Sequence, residues 1–394
     1  MLTRRAFLQF TALAGLALLA PAHANADALN WRDLLICYRN GALNNYWEKN
    51  GRRALKASRL YPGIYLRDAL WGTLGLQDMD YLRDCYQWFA DAQLESGQIR
   101  SAVALEPEST GELESHDDES TLLFILASDR LRDVRRKVET SQVERAYAFA
   151  QTHVIDDLYI SPSGAFRYWV DTLLLERADA LAYVQGMFCL ARRAMVNLGS
   201  GAVNEGHVAA AQRAYRSFFD ATRGYVMCGK FSRFAFAQDV SAVFPEFLSR
   251  YLYNERILDD EMLVRHANRI LANGSVRLRD GTLLGIKNLS TMNGAFFSPT
   301  WFAVPRLNLP GVYQNGGHWP LYSIALLALT YSITRDARYA RWIGEMVTNE
   351  LAQTQQSQEF ISLAPNALGA FDSARADYSW NALIPVALQW CGLA

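Results

Sequence analysis

Apolar residues recur at three- and four-residue spacing along most of the chain, the period of a helix with one buried face. About twelve segments carry it, near 31–50, 67–76, 79–95, 118–135, 139–153, 177–199, 203–220, 240–254, 257–271, 317–334, 336–353 and 378–391. In 118–130, Leu122, Leu123, Ile125 and Leu126 form one broad apolar face. Two-residue alternation is sparse. Residues 163–170 read as a hairpin arm, and 275–278 with 282–284 read as another, joined by a tight Asp280-Gly281 turn. The pattern predicts an all-α protein whose helices pair around a ring.

Between these helices lie long segments rich in glycine, proline and aromatics: 96–116, 156–176, 221–239, 274–316 and 355–377. Loops of that length on a helical scaffold are functional or disordered. Trp169, Phe231, Phe234, Phe236, Phe296, Phe297, Trp301 and Tyr313 argue against disorder. No Ser/Gly linker or charge block interrupts 27–394, so one domain is the economical reading.

The first 26 residues stand apart. Thr3-Arg4-Arg5-Ala6-Phe7-Leu8 resembles the twin-arginine export motif, an apolar run follows, and Ala24-Asn25-Ala26 offers a cleavage site. That places the mature protein in the periplasm or outside the cell, with no stable membrane anchor. With 394 residues, about half hydrophobic (51%), the chain can bury a large core. Its net charge of −1 and the lack of a basic stripe exclude an electrostatic nucleic-acid binder. Cys37, Cys85, Cys189, Cys228 and Cys391 form no C-x-x-C pair and predict no disulfide framework.

Candidate chemistry gathers in three places. Tyr61-Pro62-Gly63-Ile64-Tyr65-Leu66-Arg67-Asp68 runs into Trp71 at a loop-to-helix junction. An aspartate beside aromatic surface can hold a proton at neutral pH, as a leaving glycosidic oxygen requires. His116-Asp117-Asp118-Glu119-Ser120 opens the next long helix. Acids favour a helix start, but three in a row exceed what capping needs. His116 has no partner at metal-ligand spacing, and no metal or cofactor is expected. Tyr313-Gln314-Asn315-Gly316-Gly317-His318-Trp319-Pro320 makes a sharp turn into a helix, where amides can meet sugar hydroxyls and Trp319 can stack on a sugar ring. In the late segment, composition alone does not choose a base among Glu359, Asp372 and Asp377.

In this order, the motifs resemble the six-hairpin glycosidase superfamily: processing α-glucosidases and glucosylglycerate hydrolases, trehalases, and neutral/alkaline invertases. The residues that carry the resemblance are Tyr65-Leu66-Arg67-Asp68, Gly97-Gln98-Ile99, Asp117-Asp118-Glu119-Ser120-Thr121, Asn315-Gly316-Gly317-His318-Trp319-Pro320, and Glu359-Phe360 followed by Tyr378-Ser379-Trp380-Asn381-Ala382. It spans roughly 61–390. Phe360-Ile361 departs from the family's usual tyrosine pair, which leaves the base assignment open.

The resemblance implies an (α/α)6 toroid and an inverting glycoside hydrolase acting on a carbohydrate. Asp68 would be the general acid and Glu359 the base, with carboxyls roughly 6.5–9.5 Å apart. Tyr65, Arg67, Trp71, His116, Asp117, Asp118, Asn315, His318, Trp319 and Trp380 would hold the sugar. Two alternatives stand beside it. A polysaccharide lyase would draw on His116, His318, Tyr313, Arg100 and Arg167, and a glycan-binding protein would use the toroid as a scaffold. Mass spectrometry of the exported protein is expected to find a chain that starts near Asp27; a chain retaining Arg4 and Arg5 would contradict the signal reading.

Overall fold

The computed structural model describes residues 31–105, 117–134, 138–354, 356–364, 367–369 and 376–393. Twelve α-helices occupy these residues: α1 Trp31–Leu43, α2 Leu66–Leu76, α3 Met79–Asp91, α4 Glu119–Asp133, α5 Thr140–Gln151, α6 Ala182–Asn197, α7 Glu205–Arg216, α8 Phe244–Tyr253, α9 Asp260–Gly274, α10 Pro320–Thr334, α11 Ala337–Thr354 and α12 Leu383–Trp390. Each falls within or beside a segment expected from periodicity.

Two kinds of helix build the ring. The outer helices have one apolar stripe. On α3 it is Leu82, Cys85, Tyr86, Phe89 and Ala90, and on α9 it is Leu263, His266, Ala267, Ile270 and Leu271. Both follow the i, i+3, i+4, i+7, i+8 spacing of a helix buried on one side. Inner helices are buried nearly all round: every residue of α10 from Pro320 to Thr330, and of α4 from Glu119 to Asp129. The even-numbered helices pack in a closed cycle, α2 on α4, α4 on α6, α6 on α8, α8 on α10, α10 on α12 and α12 back on α2. Outer partners lie against them, as α3 does on α2 and α4, α5 on α4, α7 on α6, and α11 on α10. This is an (α/α)6 toroid.

Among the described residues, strands occur only as short two-stranded ladders. The expected hairpin across Asp280-Gly281 is present, pairing Ser275–Arg277 with Leu283–Ile286. The expected arm at 163–170 forms no regular strand; the chain folds back on itself there through single antiparallel bridges, Ser161 to Asp179 and Gly164 to Leu175. The expected helix over 31–50 stops at Leu43, and Tyr46–Lys49 pairs with Arg52–Leu55. Asn50 and Gly51 both have positive φ, 54° and 74°, the twist that a two-residue hairpin turn requires. Two more expected helices begin late. Asp239 accepts the Ser241 amide to cap a 3-10 turn, Val240–Val243, and Pro245 then opens α8. A second 3-10 turn, Ser379–Ala382, precedes α12.

Backbone contact closes the ring there. A Cβ on Gly75 would strike the carbonyl group of Ala382. Backbone cannot swing aside as a side chain can. Despite alanine's better helix propensity, Gly75→Ala is expected to destabilise the protein by about 1–3 kcal/mol, read as a lower urea midpoint.

Candidate active site

The first turns of all six inner helices meet at one end of the toroid. Arg67 of α2 bonds Glu119 at the start of α4 (2.8 Å), and Tyr183 at the start of α6 donates to the other oxygen of Glu119 (2.6 Å). Tyr322 of α10 packs on Phe244 at the start of α8, with ring centroids 5.0 Å apart, and on Trp380 ahead of α12 at 5.5 Å. Each N-terminus presents unpaired N–H groups and the positive end of a helix dipole. Six together form an environment suited to carboxylates.

Asp68, in the first turn of α2, is buried (1% exposed), and burial lifts its pKa to about 6 against the pull of Arg67 and a hydrogen bond from Tyr378. Its Oδ1 has no hydrogen-bond partner among the described residues. Glu359 comes from the segment between α11 and α12 and accepts from the Tyr61 hydroxyl at 3.4 Å. Both carboxylates act on the buried Tyr378 hydroxyl, so the two expected catalytic residues lie about one tyrosine. Asp377, another candidate for the base, accepts from Asn44, just after α1, at 3.1 Å, and Asp372 lies outside the described residues.

Around this pair the side chains fall into two groups. Tyr61, Tyr65, Arg67, Asp171 and Tyr313 are half-buried and form the accessible rim. Tyr61 and Tyr65 meet edge to face at 5.3 Å. Beneath them Trp169, Trp319, Trp380 and Tyr322 are buried as one aromatic block, Trp169 lying 4.1 Å from Tyr322 and 5.2 Å from Trp319. Arg67 stands over Trp380 at 5.6 Å. Burial works against the charge of Arg67, but Glu119 first, then Asp68 and Asp117, hold it protonated.

Several expected sugar ligands are braces instead. Asn315 donates to Phe297 O and Asn308 O and accepts from Phe297 N, leaving its amide spent on backbone. His318 is sealed against Gly285 and Ser323, and burial lowers its pKa to about 4. It is a neutral core histidine. Trp319 has Phe360 stacked on it at 5.6 Å, so that face meets protein rather than sugar. Trp71 is wholly buried beside Phe244. Asp117 caps α4, its Oδ1 accepting the Ser120 amide at 2.6 Å. Asp118 is buried behind it with a pKa raised to about 7 by desolvation, beside Ser161 and Arg167. His116 lies outside the described residues.

Other residues reach the site unannounced. Glu119 was one of three acids, yet it alone pairs with Arg67. Asp171 accepts from the Tyr313 hydroxyl at 3.5 Å and raises the pKa of both Asp68 and Asp117. Gln314 holds the Asp171 loop in place: its Oε1 accepts from Thr172 N (2.8 Å) and Oγ1 (2.6 Å), and its Nε2 donates to Trp169 O (2.8 Å). In the sequence Trp169 is only one loop aromatic among several, whereas Tyr313 opens the candidate motif before α10. Among the described residues, no three His, Cys, Asp or Glu side chains gather as a metal-holding group.

No family model matches the chain, and no curated protein does. Solved glycosidases share its fold. A wild-type glycosidase superposes with a TM-score of 0.58 at 12% identity, over 92% of this chain and 96% of that one. A glycosidase glutamate-to-alanine variant in complex with glucose gives 0.59 at 13%, with the same coverage. A GH63 mannosylglycerate hydrolase from Thermus thermophilus, in complex with Tris and D-glycerate, gives 0.58 at 11%, over 90% of this chain and all of that one. Identities this low establish the architecture, and chemistry rests on the residues above.

The raised pKa of Asp68 has a consequence for stability. Below the unfolded value, about 4, the carboxyl is neutral in both states and its burial carries no charge penalty. That contribution is lost as pH rises through about 6. Asp68→Asn, neutral at every pH, is expected to flatten the fall in Tm over this window, measured by thermal unfolding.

Proposed function

We propose that the protein is an exported glycoside hydrolase that cleaves an oligo- or polysaccharide with inversion. The observation that carries this reading is the placing of Asp68 and Glu359 about Tyr378, below a half-buried rim of Tyr61, Tyr65 and Tyr313, in a toroid shared with glycosidases. Aromatic rims suit the C–H faces of a sugar, and carboxylates its hydroxyls.

In this mechanism Asp68 is the general acid. Its burial keeps a proton available near neutral pH, and Oδ1 is the atom from which the glycosidic oxygen would take it. Glu359 is the base. It takes a proton from water, which attacks the anomeric carbon opposite the leaving group. Arg67, fixed by Glu119, orients the substrate; its charge pulls the pKa of Asp68 down, and burial outweighs that pull. The lyase alternative loses one of its candidate bases, since His318 is sealed in the core, while Tyr313 stands on the rim and His116 lies outside the described residues.

A second reading changes only the donor. Asp171 faces the same cleft, is more exposed than Asp68 and is held by Gln314 through its loop. In that reading Asp68 tunes the site and Asp171 gives the proton.

Aryl glycosides of the common hexoses in both anomers, with neutral oligosaccharides, form the test panel, and product anomers are followed by NMR. Asp68→Asn is expected to lower kcat by about 10²–10⁴ while the protein stays folded. Near-normal turnover by Asp68→Asn with loss in Asp171→Asn transfers the donor role to Asp171. A retained anomeric configuration in the product overturns inversion.

A further inference from the structure

Glu350 is a buried carboxylate outside the cleft with both oxygens bonded. It sits on α11, 1% exposed. Its Oε1 accepts the Gln358 amide at 2.7 Å, and its Oε2 accepts the hydroxyl of Tyr38, from α1, at 2.6 Å. On the other side of the same residue, Asn381 donates to Gln358 O at 2.7 Å. Both polar ends of residue 358 are therefore bonded by side chains from different elements. Two residues beyond Glu359 the chain is fixed again, by the paired bonds His318 N to Ile361 O (2.9 Å) and Ile361 N to His318 O (2.8 Å). Glu359 stands between two clamped points.

We propose that Glu350 is a positioning residue for Glu359, bonding the peptide before the base and, through Tyr38, tying that peptide to the first helix of the ring. The inference rests on Glu359 being the base in the hydrolase reading above. A buried carboxylate is a costly way to hold one peptide N–H. A longer reach explains its presence, because it bridges an amide and a phenol from two elements that are distant in sequence. Burial raises its pKa to about 7. Its bonds go to Tyr38 and Gln358, and its effect on turnover runs through the aim of Glu359. A base displaced by about 1 Å can cost on the order of 10²-fold in rate.

The test measures kcat and KM on the same panel, with thermal unfolding to establish folding. Glu350→Ala is expected to lower kcat by about 10²-fold with KM nearly unchanged, since the sugar is held elsewhere. Glu350→Gln, which keeps an acceptor for Gln358, should recover part of that loss, and Tyr38→Phe should lower kcat by a smaller factor. Wild-type kcat in folded Glu350→Ala and Tyr38→Phe overturns the inference. Where Glu350→Ala does not fold, wild-type kcat in both Glu350→Gln and Tyr38→Phe overturns it. Glu359→Gln separates the two claims. Turnover persisting in that variant removes the base assignment itself, and a wild-type protein inactive on the whole panel removes the hydrolase reading and the clamp with it.

Discussion

The site depends on one half-buried arginine. Arg67 is the charge against which Glu119, Asp68 and Asp117 are balanced. Taking that many carboxylates out of water is expensive, and a single cation cannot neutralise them all. Two other features complete the balance. Six inner helices point their positive ends at the cluster, and desolvation raises the pKa of Asp68 and Asp118 so that protonation removes part of the charge. The same physics that lets the core tolerate these acids leaves one of them able to donate a proton.

Rigidity comes from side chains spent on backbone. Gln314, Asn315, Asn381 and Glu350 each bond peptide groups of the long loops. Loops of this length, with only short strands of their own, leave buried amides to be paired, and these polar side chains supply partners. The aromatic block of Trp169, Trp319, Trp380 and Tyr322 fills the space beneath. The cleft is thus a rigid floor with a modest accessible rim. This accounts for the many polar residues near it that do not face a ligand.

That division explains where sequence reasoning succeeded and where it erred. Helical period, the Asp280-Gly281 turn and the grouping of Arg67-Asp68 with the acids of α4 were legible, because each is a local pattern. The Asn50-Gly51 hairpin was legible too, through its N-G turn signal, but it was read as helix. Asn315, His318 and Trp319 were taken for ligands because amides, imidazole and indole beside glycines look like a binding loop. Their partners, Phe297, Ser323 and Phe360, come from positions that spacing does not connect to them.

The sequence by itself determined an all-α ring of about twelve helices, since burial of a helix face is written in the three- and four-residue period of its apolar residues. It also marked the acidic and aromatic segments from which the cleft is built. Only the tertiary structure decided which acid meets Arg67, that Asp68 and Glu359 share Tyr378, that Asp171 faces the same cleft, and which polar residues are braces. Those outcomes depend on contacts across the closed ring, between residues as far apart as Tyr61 and Glu359, and no local pattern encodes which distant side chains will meet.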